Sequence, residues 1–213
     1  MKKLVLYIHG QGGSPEEAAH YRPLLPGSDV KGLDYKARTP WEAAEEFPRL
    51  CDRLSTGYDT VTLIANSIGA YFAMGALSEK NIAQALFISP VVDMEKLITD
   101  MMGWASVTED RLCREREIPT DFGETLSWDY LCYVRAHPVR WRVPTHILYG
   151  EKDHLTSRET VSAFSVPPAS ARPSPSWRTA SIGSTRRSRW LFWTAGSAPP
   201  CSSAFDKNRE SPY

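Results

Sequence analysis

From residue 3 to residue 164 the chain alternates short, nearly all-apolar runs with helical stretches, in the order βαβαβαβ, an interruption, then βα. The runs are Leu4 to Ile8, Val30 to Leu33, Thr60 to Ala65, Ala85 to Ser89 and Thr145 to Tyr149. Strands this short and this apolar suit burial on both faces, which is the condition of a parallel sheet covered by crossover helices. The expected fold class is therefore α/β, three layers α/β/α around a mostly parallel sheet.

Two helix starts are marked. Ser14-Pro15-Glu16-Glu17 and Thr39-Pro40-Trp41-Glu42 each place a hydroxyl residue before a proline and acids in the first turn, where they complement unpaired N–H groups and the helix dipole. Pro48 is expected to end or bend the second of these helices before its last turn, because it lacks an N–H and crowds the preceding turn. Residues 93 to 142 interrupt the alternation. This stretch is rich in Met and Trp (Met94, Met101, Met102, Trp104, Trp128, Trp141), and its capping signals at Thr108 and Ser127 predict two or three short helices rather than strands, forming a lid. Its Met and Trp side chains suit either ordinary packing of a helical layer or the wall of an apolar acyl site.

Composition then divides the 213 residues. The formal charge of zero joins residues 1 to 164, with 18 basic and 23 acidic side chains, to residues 165 to 213, with 7 and 2. The last 49 residues hold 11 Ser and 7 Pro, but only Val166, Ile182 and Leu191 among Val, Ile and Leu, too little to offset the entropy of ordering a core. A core at 1–164, containing the 93–142 insert, and an irregular tail at 165–213 are expected. No apolar run approaches the roughly 18 residues of a membrane span, and Met1-Lys2-Lys3 leads straight into a strand, so no membrane association and a cytoplasmic setting are expected. Cys51, Cys113, Cys132 and Cys201 form no C-x-x-C pair and do not cluster with His, which favours reduced structural thiols over a metal site. The balanced charge of the first part argues against nucleic acid as a partner.

Three stretches carry chemistry. Ala65-Asn66-Ser67-Ile68-Gly69-Ala70 joins a strand to a helix as a small-x-Ser-x-small turn, the spacing that exposes a nucleophile on a strained backbone. The alternative is a serine that merely caps the helix beginning at Ile68. His9-Gly10-Gln11-Gly12-Gly13 ends the first strand in a glycine-rich turn at the sheet's carboxyl edge, where the N–H of Gln11 can join that of Ile68 in an oxyanion hole. Phosphate cradling is the competing use of such a turn, but neither a Lys-Ser/Thr pair nor G-x-G-x-x-G spacing is present. His9 is expected to be buried and structural. Gly150-Glu151-Lys152-Asp153-His154 follows the last strand, and Asp153 is placed to orient an imidazole; Asp93, opening the insert, is the second candidate acid, and an ordinary turn aspartate is the alternative.

In order, the segments Y-I-H-G-Q-G-G, A-N-S-I-G-A, I-S-P and I-L-Y-G-E-K-D resemble the α/β-hydrolase superfamily, in particular its small bacterial members with a helical cap. The resemblance covers residues 3 to 164. It implies a serine hydrolase acting on a small carboxylic ester, thioester or amide without cofactor or metal, with Ser67 as nucleophile, Asp153 as acid, and Gln11 and Ile68 as oxyanion donors. No substrate-contacting residue is identified by it. The alternative function is a non-catalytic ligand-binding protein on the same fold.

The family pattern also demands a histidine after one further strand. The five histidines are His9, His20, His137, His146 and His154, and none follows residue 154. We read residues 165 to 213 as translated out of frame. Codons can be chosen for Ser174 to Gly196 so that a shifted reading yields a Gly-x-His turn, its His straddling Ser181 and Ile182, and then a Thr-Glu-Glu-Gln capping box ahead of an amphipathic helix. On this reading the final strand and helix are lost, little or no turnover is expected, and the 145–149 strand becomes an open sheet edge prone to self-association.

Overall fold

The computed structural model describes residues 1–150, 153 and 155–164. Among the described residues five strands form one parallel sheet in the order β2-β1-β3-β4-β7: β1 (Lys3–Ile8), β2 (Asp29–Gly32), β3 (Thr60–Asn66), β4 (Gln84–Ile88) and β7 (Thr145–Leu148). The register aligns the carboxyl ends. Asn66 pairs with Ile88 and Ile88 with Leu148, so the loops after β3, β4 and β7 leave the sheet side by side.

Alternation along each strand sorts side chains between two cores. Leu4, Leu6, Ile8, Leu63, Ala65, Ala85 and Phe87 join the larger one, with the helices α1 (Pro40–Ser55) and α2 (Ile68–Ala76). Val5, Tyr7, Val30 and Ile64 turn the other way, onto Ala18, Tyr21 and Leu25 at the 3-10 helix Pro15–Leu24. β7 lies at the sheet edge among the described residues, and Leu148 is 44% exposed.

Helix α1 begins where its sequence places it. The Thr39 hydroxyl accepts from the Glu42 N–H, and the Glu42 carboxylate accepts from the Thr39 and Arg38 N–H groups. Pro48 does not end the helix, which runs on to Ser55, because Phe47, Leu50, Cys51 and Leu54 continue one apolar stripe onto the core. The segment after Ser14 is a 3-10 helix in which the Ser14 side chain caps no backbone N–H. The neighbouring Ser14 is the leading cause of a Glu16 carboxyl held below its usual range. Pro23 inside the segment and only one buried residue, Ala18, leave little to propagate a regular α-helix.

The insert contains α3 (Met94–Trp104), α4 (Glu109–Glu115) and α5 (Trp128–Ala136), the last two capped by Thr108 and Ser127 as expected. It also contains strands, contrary to expectation: β5 (Glu117–Pro119) pairs antiparallel with β6 (Thr125–Ser127). The hairpin is three residues long on each side and buries only Ile118, Leu126 and Ser127 among its strand residues, too brief a pattern to register as strand. Its turn was nonetheless marked by Asp121-Phe122-Gly123, with Gly123 at φ 89°. Arg135 ties the layer together, donating to Glu95 on α3 (2.7 Å) and to both oxygens of Glu109 on α4 (2.6 and 2.9 Å). Most of the Met and Trp side chains here are packing: Met94, Met101, Met102 and Trp141 are buried, while Trp104 lies outward against Phe122. Among the described residues no helix is long and apolar enough to cross a membrane. The tail, in which the family's final strand and helix are expected to be lost, and Cys201 lie outside the described residues.

Candidate active site

Ser67 sits between β3 and α2 with φ 52° and ψ −123°, a conformation that costs a non-glycine residue on the order of 1–3 kcal/mol and persists only when its surroundings impose it. They do so on both sides. The Ser67 N–H donates to the Ile88 carbonyl (3.0 Å), and the Ser67 carbonyl accepts from Val91 (3.2 Å) and Ala70 (3.1 Å). The hydroxyl does not cap α2, which removes the simple helix-cap alternative. Two glycines make room for the turn. A Cβ on Gly69 would lie 2.2 Å from the His9 carbonyl oxygen, and one on Gly10 would lie 3.2 Å from Ser67 Cβ. Ala65, where no glycine stands, is fully buried and small enough.

The same contacts place the 9–13 loop against the serine. Gly13 N–H donates to the Gly10 carbonyl (3.2 Å), closing a turn in which Gly12 takes φ 70°. Tyr35 holds the loop's entry by donating its hydroxyl to the His9 carbonyl (2.9 Å) and stacking on the His9 ring at 4.2 Å. Burial raises the Tyr35 phenol well above its ordinary value, so it remains a donor. His9 is half-buried rather than buried, and its Nδ1 is engaged with the Gly10 carbonyl at 2.7 Å, a structural use of the imidazole. The N–H groups of Gln11 and Ile68 make no hydrogen bond with other described residues. For Ile68 this follows from its place in the first helical turn.

Asp153 lies past β7. Its N–H donates to the Gly150 carbonyl (2.9 Å), and Oδ1 accepts from Leu155 (2.9 Å) and Thr156 (3.3 Å), while Tyr149 donates to the Thr156 carbonyl (2.9 Å). The loop is joined to the serine through one intervening strand end: Ser89 N–H donates to the Leu148 carbonyl (2.8 Å), and a Cβ on Gly150 would lie 3.6 Å from Ser89 Oγ. Ser89 itself has φ 41°. Asp93 instead caps α3, accepting from Lys96 N–H (2.9 Å).

No described imidazole is bonded to Ser67 or to Asp153. His20, His137 and His146 are exposed, with His137 stacked on Tyr133 at 4.0 Å, and His154 lies outside the described residues. Sequence reasoning missed a groove of about 600 Å³ lined in part by Tyr71, Val92, Asp93, Val134, Val139 and Phe164. Tyr71 lies one helical turn beyond Ser67, and that i, i+4 spacing was its available signal.

Several solved structures share this architecture. Est1E from Butyrivibrio proteoclasticus superposes with a TM-score of 0.59 at 16% identity, covering 78% of each chain. Its ferulic-acid-bound form gives 0.56 at 16%, covering 78% of this chain and 80% of that one. The mouse alpha/beta hydrolase domain-containing protein 10 gives 0.55 at 15%, covering 71% and 70%. No family model matches the sequence, and no curated protein matches it significantly. The parallel sheet, its flanking helices and these likenesses establish the α/β-hydrolase fold.

Proposed function

We propose that the chain is built as a serine hydrolase acting on a small carboxylic ester, thioester or amide. The observation that carries this is the Ser67 backbone, held at positive φ with its hydroxyl unused as a cap, beside a glycine-rich loop. In the proposed reaction Ser67 Oγ attacks the carbonyl carbon as its proton passes to a base. The oxyanion takes hydrogen bonds from Gln11 and Ile68 N–H groups, each such donor being worth roughly 10²–10³ in rate. Collapse expels the alcohol, thiol or amine, which takes the proton, and water then attacks acyl-Ser67 to release the acid and restore the hydroxyl. Asp153 serves to orient the base and stabilise its cation. No step calls on a metal or cofactor, and a cytoplasmic setting belongs to the same proposal.

The base is the part that the described residues do not supply. Without it the hydroxyl stays protonated, and in subtilisin loss of the histidine costs about 10⁶ in kcat. We therefore propose that the tail is out of frame, which the coding DNA tests: stop codons or no His codon in the shifted frame across residues 165 to 196 refute it. The absence of a histidine bonded to Ser67 among the described residues favours, as a second reading, a protein that binds such ligands without turning them over. A panel of short-chain, long-chain and aryl esters distinguishes the two. The hydrolase predicts turnover by a frame-corrected chain that Ser67→Ala abolishes; binding without turnover in that chain supports the other reading.

A further inference from the structure

The 9–13 loop is held from both faces of the sheet. On one side Tyr35 bonds the His9 carbonyl. On the other, Tyr7 of β1, 2% exposed, donates its hydroxyl to Glu17 Oε2 at 2.5 Å. Glu17 belongs to the 3-10 helix that follows the loop, and its two carboxylate oxygens lie 3.1 and 3.2 Å from the position of a Gly13 Cβ. Asn66 Nδ2 lies 3.7 Å from the Cβ position of Gly10. Asn66 directly precedes Ser67. A single buried phenol is thus bonded to the carboxylate packed against the far end of the glycine loop.

We propose that Tyr7 and Glu17 are positioning residues that fix the Gln11 N–H relative to Ser67. The inference rests on the reading of Gln11 as an oxyanion donor, and neither side chain is assigned contact with a substrate. The physical case is one of entropy. A loop with glycines at 10, 12 and 13 has wide backbone freedom, and a donor contributes to an oxyanion hole only if it is oriented before charge develops. Gly13 is anchored by one turn bond to Gly10, internal to the loop, which fixes the loop's shape but not its place. The Tyr7–Glu17 bond supplies a tie to the sheet. Because the phenol is buried beside a carboxylate, its pKa lies far above the ordinary tyrosine value, so it donates throughout the working pH range.

The test compares Glu17→Ala, Glu17→Gln and Tyr7→Phe with wild type by amide hydrogen exchange in the full chain and by phenylboronic acid affinity in the frame-corrected chain, phenylboronic acid forming a tetrahedral anion on a serine. The proposal expects Glu17→Ala and Tyr7→Phe to speed exchange at residues 10 to 13 by tenfold or more, while exchange in β3 and α2 and the urea midpoint stay near wild type. Glu17→Gln, which keeps an oxygen acceptor for Tyr7, restores most of the protection. Boronate affinity is expected to fall about tenfold in Glu17→Ala and to recover in Glu17→Gln. Unchanged exchange at residues 10 to 13 in Glu17→Ala overturns the positioning role, as does faster exchange spread evenly over the sheet. Failure of the frame-corrected chain to bind boronate, or binding equal to that of its Ser67→Ala variant, counts against the serine reading alone, and the exchange result still decides the role of Glu17.

Discussion

A Cβ on Gly69 would sit 2.2 Å from the carbonyl oxygen of His9, closer than real side chains approach. The glycine two residues after Ser67 is therefore set by contact between two loops of neighbouring strands, β3 and β1. The two halves of the candidate site, serine turn and glycine loop, are thus in direct contact, with room for no side chain between them. Gly69→Ala must push the His9 backbone away and is expected to cost about 1–3 kcal/mol in stability, typical of overpacking. Urea unfolding of the variant measures this, and phenylboronic acid affinity should fall with it.

The capping box at the start of α1 is a second local test. Thr39→Ala removes the acceptor for the Glu42 N–H while the Glu42 carboxylate keeps its own bonds to the Arg38 and Thr39 N–H groups. A loss of about 1 kcal/mol is expected, seen as a lower urea midpoint with unchanged m-value.

Leu63, fully buried at the centre of β3, probes the core beneath the site. Leu63→Ala is expected to cost about 2–5 kcal/mol, the range for a leucine truncated where neighbours cannot collapse into the space. Thermal and urea unfolding should both report it.

The insert carries a pH signature. Hydrogen bonding from Arg135, then its charge, holds the Glu109 carboxyl below the ordinary value of 4.5. The native state thus binds fewer protons than the unfolded state at acid pH, so this contribution is fully present above the unfolded pKa and is lost as pH falls through the lower folded one. Arg135→Met is expected to flatten the rise of stability with pH below about 4.5 and to matter little at neutrality beyond the loss of two half-exposed pairs, to Glu95 and Glu109, each worth at most about 1 kcal/mol. Urea midpoints across pH 3 to 7 for both chains provide the check.

Much of the sheet was legible because parallel strands buried on both faces announce themselves as short apolar runs. β1 and β3 stand within a residue of the expected bounds, and β2, β4 and β7 end one residue before the expected Leu33, Ser89 and Tyr149. The capping serine and threonine of the insert were legible for a similar reason, since caps are local. What was not legible depended on distant partners. Pro48 is tolerated because residues on both sides of it pack on the core, the β5–β6 hairpin is too short to show a period, and the outward Trp104 looks in sequence like its buried counterparts. At the site, the Ser67 turn was readable from its small residues. The Tyr7 bond to Glu17 was not, because nothing in the spacing of a strand tyrosine and a surface glutamate says that they meet.

The central claim, that Ser67 is a nucleophile served by the 9–13 loop, is tested most directly by mapping the adduct of a fluorophosphonate probe by mass spectrometry in the frame-corrected chain, beside its Ser67→Ala variant. The account predicts a single phosphonylated peptide containing Ser67, absent from Ser67→Ala. An adduct on any other residue, or no difference between the two chains, contradicts it.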